Sequence, residues 1–177
     1  MWASTRTLIL LCMLAGCDSG VSTASEPPNR IDETGLIEFY LPPGWADLPS
    51  SQKSRFVPEG ADSENAMLGV IPSAEHRPPD IDSFWQNTVA KHEMQKQKLV
   101  SEASSNLNGF EVREAIYESE RNGQVAIYHD YFLFSDTLKI ELNLNGTKAA
   151  HERFAQDLIT LAQSVRELAK PVDQTPD

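Results

Sequence analysis

The sequence predicts an α+β fold: an antiparallel β-sheet of six to seven strands flanked by two main helices. Three observations carry this. Apolar and polar residues alternate in strand-length runs through residues 110–145. Asn108-Gly109 and Asn122-Gly123 punctuate those runs as hairpin turns, because both central positions of such a turn need positive φ. Two longer stretches, residues 81–97 and the region after Thr147, repeat apolar residues at spacings of three and four.

Residues 1–16 read as an export signal. Arg6 gives a positive start, and Leu8–Leu14 is an apolar stretch too short to span a bilayer. Leu14-Ala15-Gly16-Cys17 resembles the bacterial lipobox. The resemblance implies cleavage before Cys17, a diacylglycerol group on its sulfur and an N-acyl chain on its new amine. Several acyl chains hold a domain at a membrane stably, where one holds it marginally. Asp18 resembles an inner-membrane retention signal, so the expected address is the inner membrane, facing the periplasm. Residues 17–34 are the lipidated cysteine and a flexible tether, rich in Ser, Thr, Pro and acids and too poor in apolar side chains to repay ordering.

A single domain is expected over residues 35–170. Leu36–Leu41 reads as a strand, stopped by Pro42-Pro43-Gly44. Ser54–Val57 is a second strand and Ala66–Ile71 a third, ended by Pro72. Asp80 is placed to cap a helix over 81–97, whose stripe is Ile81, Phe84, Trp85, Thr88, Val89 and His92. A meander follows: one strand within Leu99–Leu107, one from Phe110 to Glu120 and one from Gln124 to Phe134. The last is apolar on both faces and therefore central and covered on both sides. Leu138–Asn145 alternates as a strand with one wet face. Thr147 is placed to cap a final helix carrying Phe154, Leu158, Leu161, Ala162, Val165 and Leu168, ended by Pro171. Residues 171–177 read as a disordered tail.

Fifteen Lys and Arg face 26 Asp and Glu, a formal charge of -11. That argues against a nucleic-acid partner, which needs clustered cations. The two cysteines, Cys12 and Cys17, both precede the body, so it has no disulfide framework, thiolate nucleophile or cysteine zinc site. An apolar content of 40 %, with seven Phe, four Tyr and three Trp, suffices for a core.

No phosphate-binding, zinc-protease or nucleophile-elbow motif is present. His76, His92, His129 and His151 fall in four separate elements and read as isolated side chains. His92 reads as a packing residue. His129 and Asp130 point to opposite faces of one strand and cannot pair with each other. Glu114 and Glu118 share a strand face that reads as facing water or a helix. Ser135-Asp136 is a turn. Glu59, Asp62 and Glu64 gather oxygen donors in one loop, a donor type that suits calcium, but without EF-hand spacing, and no metal is expected. Phe39, Trp45 and Trp85 are expected in the core. Tyr117, Tyr128 and Tyr131 are the candidate protein-contact residues, with Tyr117 and Tyr128 clustered across a hairpin.

The early strand with Phe39, Pro42 and Trp45, the helix around Phe84-Trp85, the meander and the long last helix together resemble the Mog1/PsbP-like fold group, and within it the DcrB-like bacterial lipoproteins. The resemblance covers roughly residues 35–169 and implies a three-layer α/β/α sandwich. It carries no catalytic residue, and its members differ widely in role. The expected function is that of a non-enzymatic, membrane-anchored lipoprotein acting through protein contacts in the cell envelope, with no cofactor beyond its acyl chains. Two alternatives stand beside it: an immunity or chaperone protein for a secreted toxin, and a small-ligand or calcium-binding lipoprotein.

Overall fold

The computed structural model describes residues 30–32, 34–48, 55–60, 66–73, 77–121 and 123–168. Cys17, Asp18, Asp62, Glu64, His76 and the 171–177 tail lie outside them. The elements run β1 (Arg30–Ile31), β2 (Ile37–Phe39), β3 (Trp45–Asp47), β4 (Arg55–Pro58), β5 (Ala66–Ser73), α1 (Ile81–Met94), β6 (Lys98–Leu107), β7 (Phe110–Arg121), β8 (Gln124–Phe134), β9 (Lys139–Thr147), α2 (Lys148–Ser164) and β10 (Arg166–Glu167). Every strand pairing is antiparallel. Seven strands form the main sheet in the order β3-β4-β5-β9-β8-β7-β6, and β1-β2-β10 form a small second sheet. Among the described residues no helix is long and apolar enough to cross a membrane.

The meander forms as its turns dictate. Asn108 and Gly109 have φ of 51° and 88°, the two positive values that an Asn-Gly hairpin turn requires. The next turn sets Arg121 opposite Gln124, and that register carries through to Glu111 opposite Phe134. β8 lies between β7 and β9 and is covered on both faces, as its two-sided apolar pattern requires. Phe132 and Phe134 meet Phe84 of α1 edge-on at 5.4 and 5.7 Å. Tyr131 and Leu133 point the other way, into the main core with Leu158 and Leu161 of α2. The result is three layers: α1, the seven-stranded sheet, and α2 with the small sheet.

Both helix starts are capped as the sequence implies. Asp80 accepts from the amides of Asp82 and Ser83 at 3.0 and 3.3 Å, and Thr147 accepts from that of Ala150 at 3.2 Å. Phe39 and Trp45 are buried. Trp45 meets the ring of Phe154 at 5.1 Å and donates from Nε1 to Asp157 Oδ2 at 2.8 Å.

Several expectations need correction. Arg30–Ile31, upstream of Gly35, already forms a strand on β2, and Asp32 ties this segment of the supposed tether to β2. Its Oδ1 accepts from the amides of Leu36 and Ile37, both at 2.8 Å. Trp45–Asp47, read only as a core tryptophan after a turn, is a strand on β4. β5 continues through Pro72, which lies past Leu68 and Gly69, the partners of β4, where one side of the strand needs no donor. α1 stops at Met94, with Lys96 at a φ of 61°. α2 stops at Ser164, and β10 then pairs with β2 instead of prolonging the helix.

Candidate functional site

Chemistry-bearing side chains gather on both faces of the sheet, near β7 and β8. On the α1 face, His92 lies flat on Tyr117, with centroids 4.0 Å apart and planes 6° apart. Its Nδ1 bonds Oε1 of the buried Gln97, and its Nε2 stands 3.6 Å from Asp130 Oδ2. Burial, and secondarily the Glu141 charge, push the Asp130 carboxyl up to about 7. Burial pulls the His92 imidazole below its ordinary value, with Lys91 adding to the effect and Gln97 opposing it. Both partners therefore favour their neutral forms inside the protein. Desolvation dominates over mutual attraction at 3.6 Å.

On the α2 face stands a second group. His129 Nε2 lies 2.8 Å from Glu114 Oε1, and His129 Nδ1 lies 3.1 Å from His151 Nε2. A neutral His129 that donates to Glu114 through Nε2 accepts at Nδ1 from His151. The Tyr131 hydroxyl also bonds Glu114, and burial first, then that carboxylate, raise its pKa above the ordinary tyrosine range. Burial depresses both imidazoles; Glu114 opposes the effect at His129, and His129 adds to it at His151. The chain runs from a carboxylate, through a buried ring, to a half-buried ring in the first turns of α2. It can hold and relay a proton, and it fastens α2 to β7 and β8.

His92, His129 and His151 are thus not isolated, which corrects the reading by separate elements. The sheet brings those elements together. Glu114 sits opposite Tyr131 and Ile116 opposite His129, so Glu114 and His129 are diagonal neighbours on one face. The turn at Arg121–Gln124 sets that register, and counting back from it would have revealed the pair. His129 and Asp130 do face opposite sides, as alternation requires, and each finds a different partner.

The tyrosines also fall elsewhere than on an exposed patch. Tyr117 and Tyr131 are buried, and only Tyr128 is half-buried. Tyr117 and Tyr128 are direct cross-strand partners. The Tyr117 Oη is buried without a hydrogen-bond partner among the described residues. Glu59 is exposed, and among the described residues no three His, Cys, Asp or Glu side chains are grouped to hold a metal ion.

Trp85 departs from expectation in the most useful way. No residue of α1 is buried, and Trp85 lines a groove of about 660 Å³ between α1 and the β6–β7 side of the sheet. Val89 and Leu99 give that groove apolar walls, and Asp82, Glu93 and Glu102 give it carboxylates. Trp85 donates from Nε1 to Glu102 Oε2 at 3.1 Å. Arg113 is held by Asp82 at 2.7 Å and by Glu111 at 2.9 Å. The helix sits beyond the main core, and among the described residues nothing packs on its outer side, so its apolar stripe is only partly covered. A smaller cavity of about 340 Å³ lies between Phe84, Thr88 and His92 of α1 and Phe132, Lys139 and Glu141 of the sheet.

No protein-family profile matches the chain, and no curated protein matches it. Solved structures do. LpqN of Mycobacterium tuberculosis, described as involved in cell envelope biogenesis, superposes with a TM-score of 0.59 at 13% identity, over 75% of this chain and 83% of its own. CyanoP, the cyanobacterial PsbP of Synechocystis sp. PCC 6803, gives 0.54 at 15% identity, over 87% of this chain and 99% of its own. PA94 of Pseudomonas aeruginosa, a protein of unknown function and putative regulator, gives 0.50 at 17% identity, over 78% and 100%. The likeness establishes a PsbP-like α+β fold.

Proposed function

We propose that this chain is a membrane-anchored binding module of the bacterial envelope, working by protein contacts on its α1–β6 side and without chemistry of its own. The observation that carries the reading is the uncovered position of α1. A helix with no buried residue leaves an apolar-walled, acid-bearing groove beside a sheet edge, which is how interaction surfaces are built. The lipobox around Cys17 supplies the anchor, and Asp18 favours the inner membrane on its periplasmic side. The envelope role described for LpqN, and the resemblance to DcrB-like lipoproteins, agree with that setting. The two histidine groups join layers of the fold. Among the described residues, His92 bonds Gln97, and His129 bonds Glu114 and His151.

Site-specific photocross-linking in cells tests the reading. A cross-linker at Val89 or Ala103, both lining the groove, should give discrete protein adducts, and one at the exposed Glu152 of α2 should not. Adducts from Glu152 alone would place the contact face on the opposite side and overturn the proposal.

A further inference from the structure

The sheet's outer edge names the kind of partner, an inference that rests on the contact face just proposed. We infer that β6 accepts an extended, lysine- or arginine-bearing segment of a partner protein as an added strand, with alternate side chains of that segment set into the groove beside α1.

β6 is an edge strand of ten residues, paired on one side with β7, whereas the opposite edge, β3, has three. An edge presents a row of backbone donors and acceptors that another chain can satisfy. Proteins usually guard long edges with prolines, lysines, bulges or covering elements. Here the guards stand at the start of the strand: Lys98, and a bulge between Leu99 and Ser101. From Ser101 to Leu107 the ladder with β7 is unbroken, with no proline and no basic residue. Ser101, Ala103, Ser104, Ser105 and Asn106 are small or short, and all are exposed, so an incoming backbone meets little obstruction.

Charge selects the occupant. The groove carries the carboxylates of Asp82, Glu93 and Glu102 against Arg113 alone, and Arg113 is already held between Asp82 and Glu111. Glu93 and Glu102 take part in no ion pair among the described residues, and each is exposed, so a cationic side chain meets them without displacing another cation; Trp85 holds only one oxygen of Glu102. The apolar walls of Trp85, Val89 and Leu99 suit the methylene stem of a lysine or arginine. A second copy of this chain is disfavoured, since edge-to-edge pairing would bring together two protomers of charge -11 with Glu102 on each edge. An acidic segment is disfavoured for the same reason.

The test uses the full chain in a neutral detergent, with a synthetic peptide of alternating lysine and valine as probe. Three comparisons accompany it: the glutamate–valine counterpart, the lysine–valine peptide N-methylated at alternate residues, and the double variant Glu93→Lys/Glu102→Lys. The lysine–valine peptide should slow amide exchange across Ser101–Leu107. Its affinity should fall at least about tenfold in the double variant, whose thermal melt is recorded to show that it folds. The N-methylated and glutamate peptides should give no such protection. Equal binding of the N-methylated peptide would overturn strand addition, and equal binding of the glutamate peptide would overturn the charge selection. If either happens while adducts from Val89 and Ala103 persist in cells, the contact face stands and this inference alone falls. Loss of those adducts removes both.

Discussion

Gly69 lies directly beneath Asn143 on the α1 face of the sheet. The two are register partners on β5 and β9, and a β-carbon at Gly69 would stand 2.6 Å from Asn143 Oδ1. Asn143 cannot retreat freely. It is buried, its amide donates to Glu141 and its oxygen accepts from Asn145, both at 3.3 Å. The backbone at Gly69 is ordinary strand, so the constraint is space and not φ.

Gly69→Ala should therefore destabilise the fold by roughly 1–3 kcal/mol, the usual cost of overpacking a filled interior. Urea melts of Gly69→Ala, Asn143→Ser and the double variant check this. In the Asn143→Ser background the alanine should cost clearly less, because the clashing carboxamide is gone. Equal costs in both backgrounds would show that the contact is not what excludes a side chain.

Trp45 is predicted to be the most sensitive aromatic position. Trp45→Ala should cost about 3–5 kcal/mol, as emptying a buried tryptophan site does. Trp45→Phe keeps most of the packing on Phe154 and loses the bond to Asp157, so its extra penalty for that bond should be about 0.5–1.5 kcal/mol. Trp85→Ala, on a helix with no buried residue, should cost well under the Trp45 value in the same melts. A ranking with Trp85 above Trp45 would contradict the placement of α1.

Why some of this was readable and some was not follows from how each part is specified. The hairpins are local: Asn108-Gly109 fixes a turn whatever surrounds it, and the alternation after it fixes the faces. The helix caps at Asp80 and Thr147 are local too. β1, β3 and β10 are two or three residues long, too short for any periodicity; β1 and β3 pair with the next strand, and β10 exists because the distant β2 offers it an edge. Trp85 and Trp45 look alike in sequence, and only what the fold packs against them separates them: Phe154 and Asp157 for Trp45, a groove for Trp85. His151 reaches His129 because α2 folds back across the sheet, which no spacing announces. Glu114 with His129 was readable in principle, through the register imposed by the turn between them.

Lipidation is the next prediction. Cys17 lies outside the described residues, and the expectation rests on Leu14-Ala15-Gly16-Cys17. Wild-type protein should take up labelled palmitate in cells and sediment with membranes. Cys17→Ser should remain unprocessed and unlabelled. A wild-type chain without label would remove the anchor from the proposed function. The groove beside α1 would be untouched by that result, since it belongs to the folded body.

Acid and base should pull stability in opposite directions through the histidines and Asp130. The imidazoles of His92, His129 and His151 all have folded-state pKa values below the ordinary 6.5, chiefly because burial penalises their charged forms. The unfolded chain thus binds protons first, so their contribution to stability is present above about 6.5 and is lost as pH falls below it. Asp130 has the reverse sign. Its folded pKa is raised from 3.8 to about 7, so the native state binds the extra proton, and stability falls as pH rises through that window. Asp130→Asn removes only this second effect. Its stability relative to wild type should therefore improve by more than about 1 kcal/mol between pH of about 4 and about 8. His151→Gln removes a ring whose protonation burial and His129 disfavour in the fold, so its relative gain should grow as pH falls below the ordinary value of about 6.5. Denaturant midpoints of the three proteins across that range decide the matter. A constant offset between Asp130→Asn and wild type would mean that Asp130 keeps its charge inside the fold, stabilised by His92 more strongly than burial disfavours it.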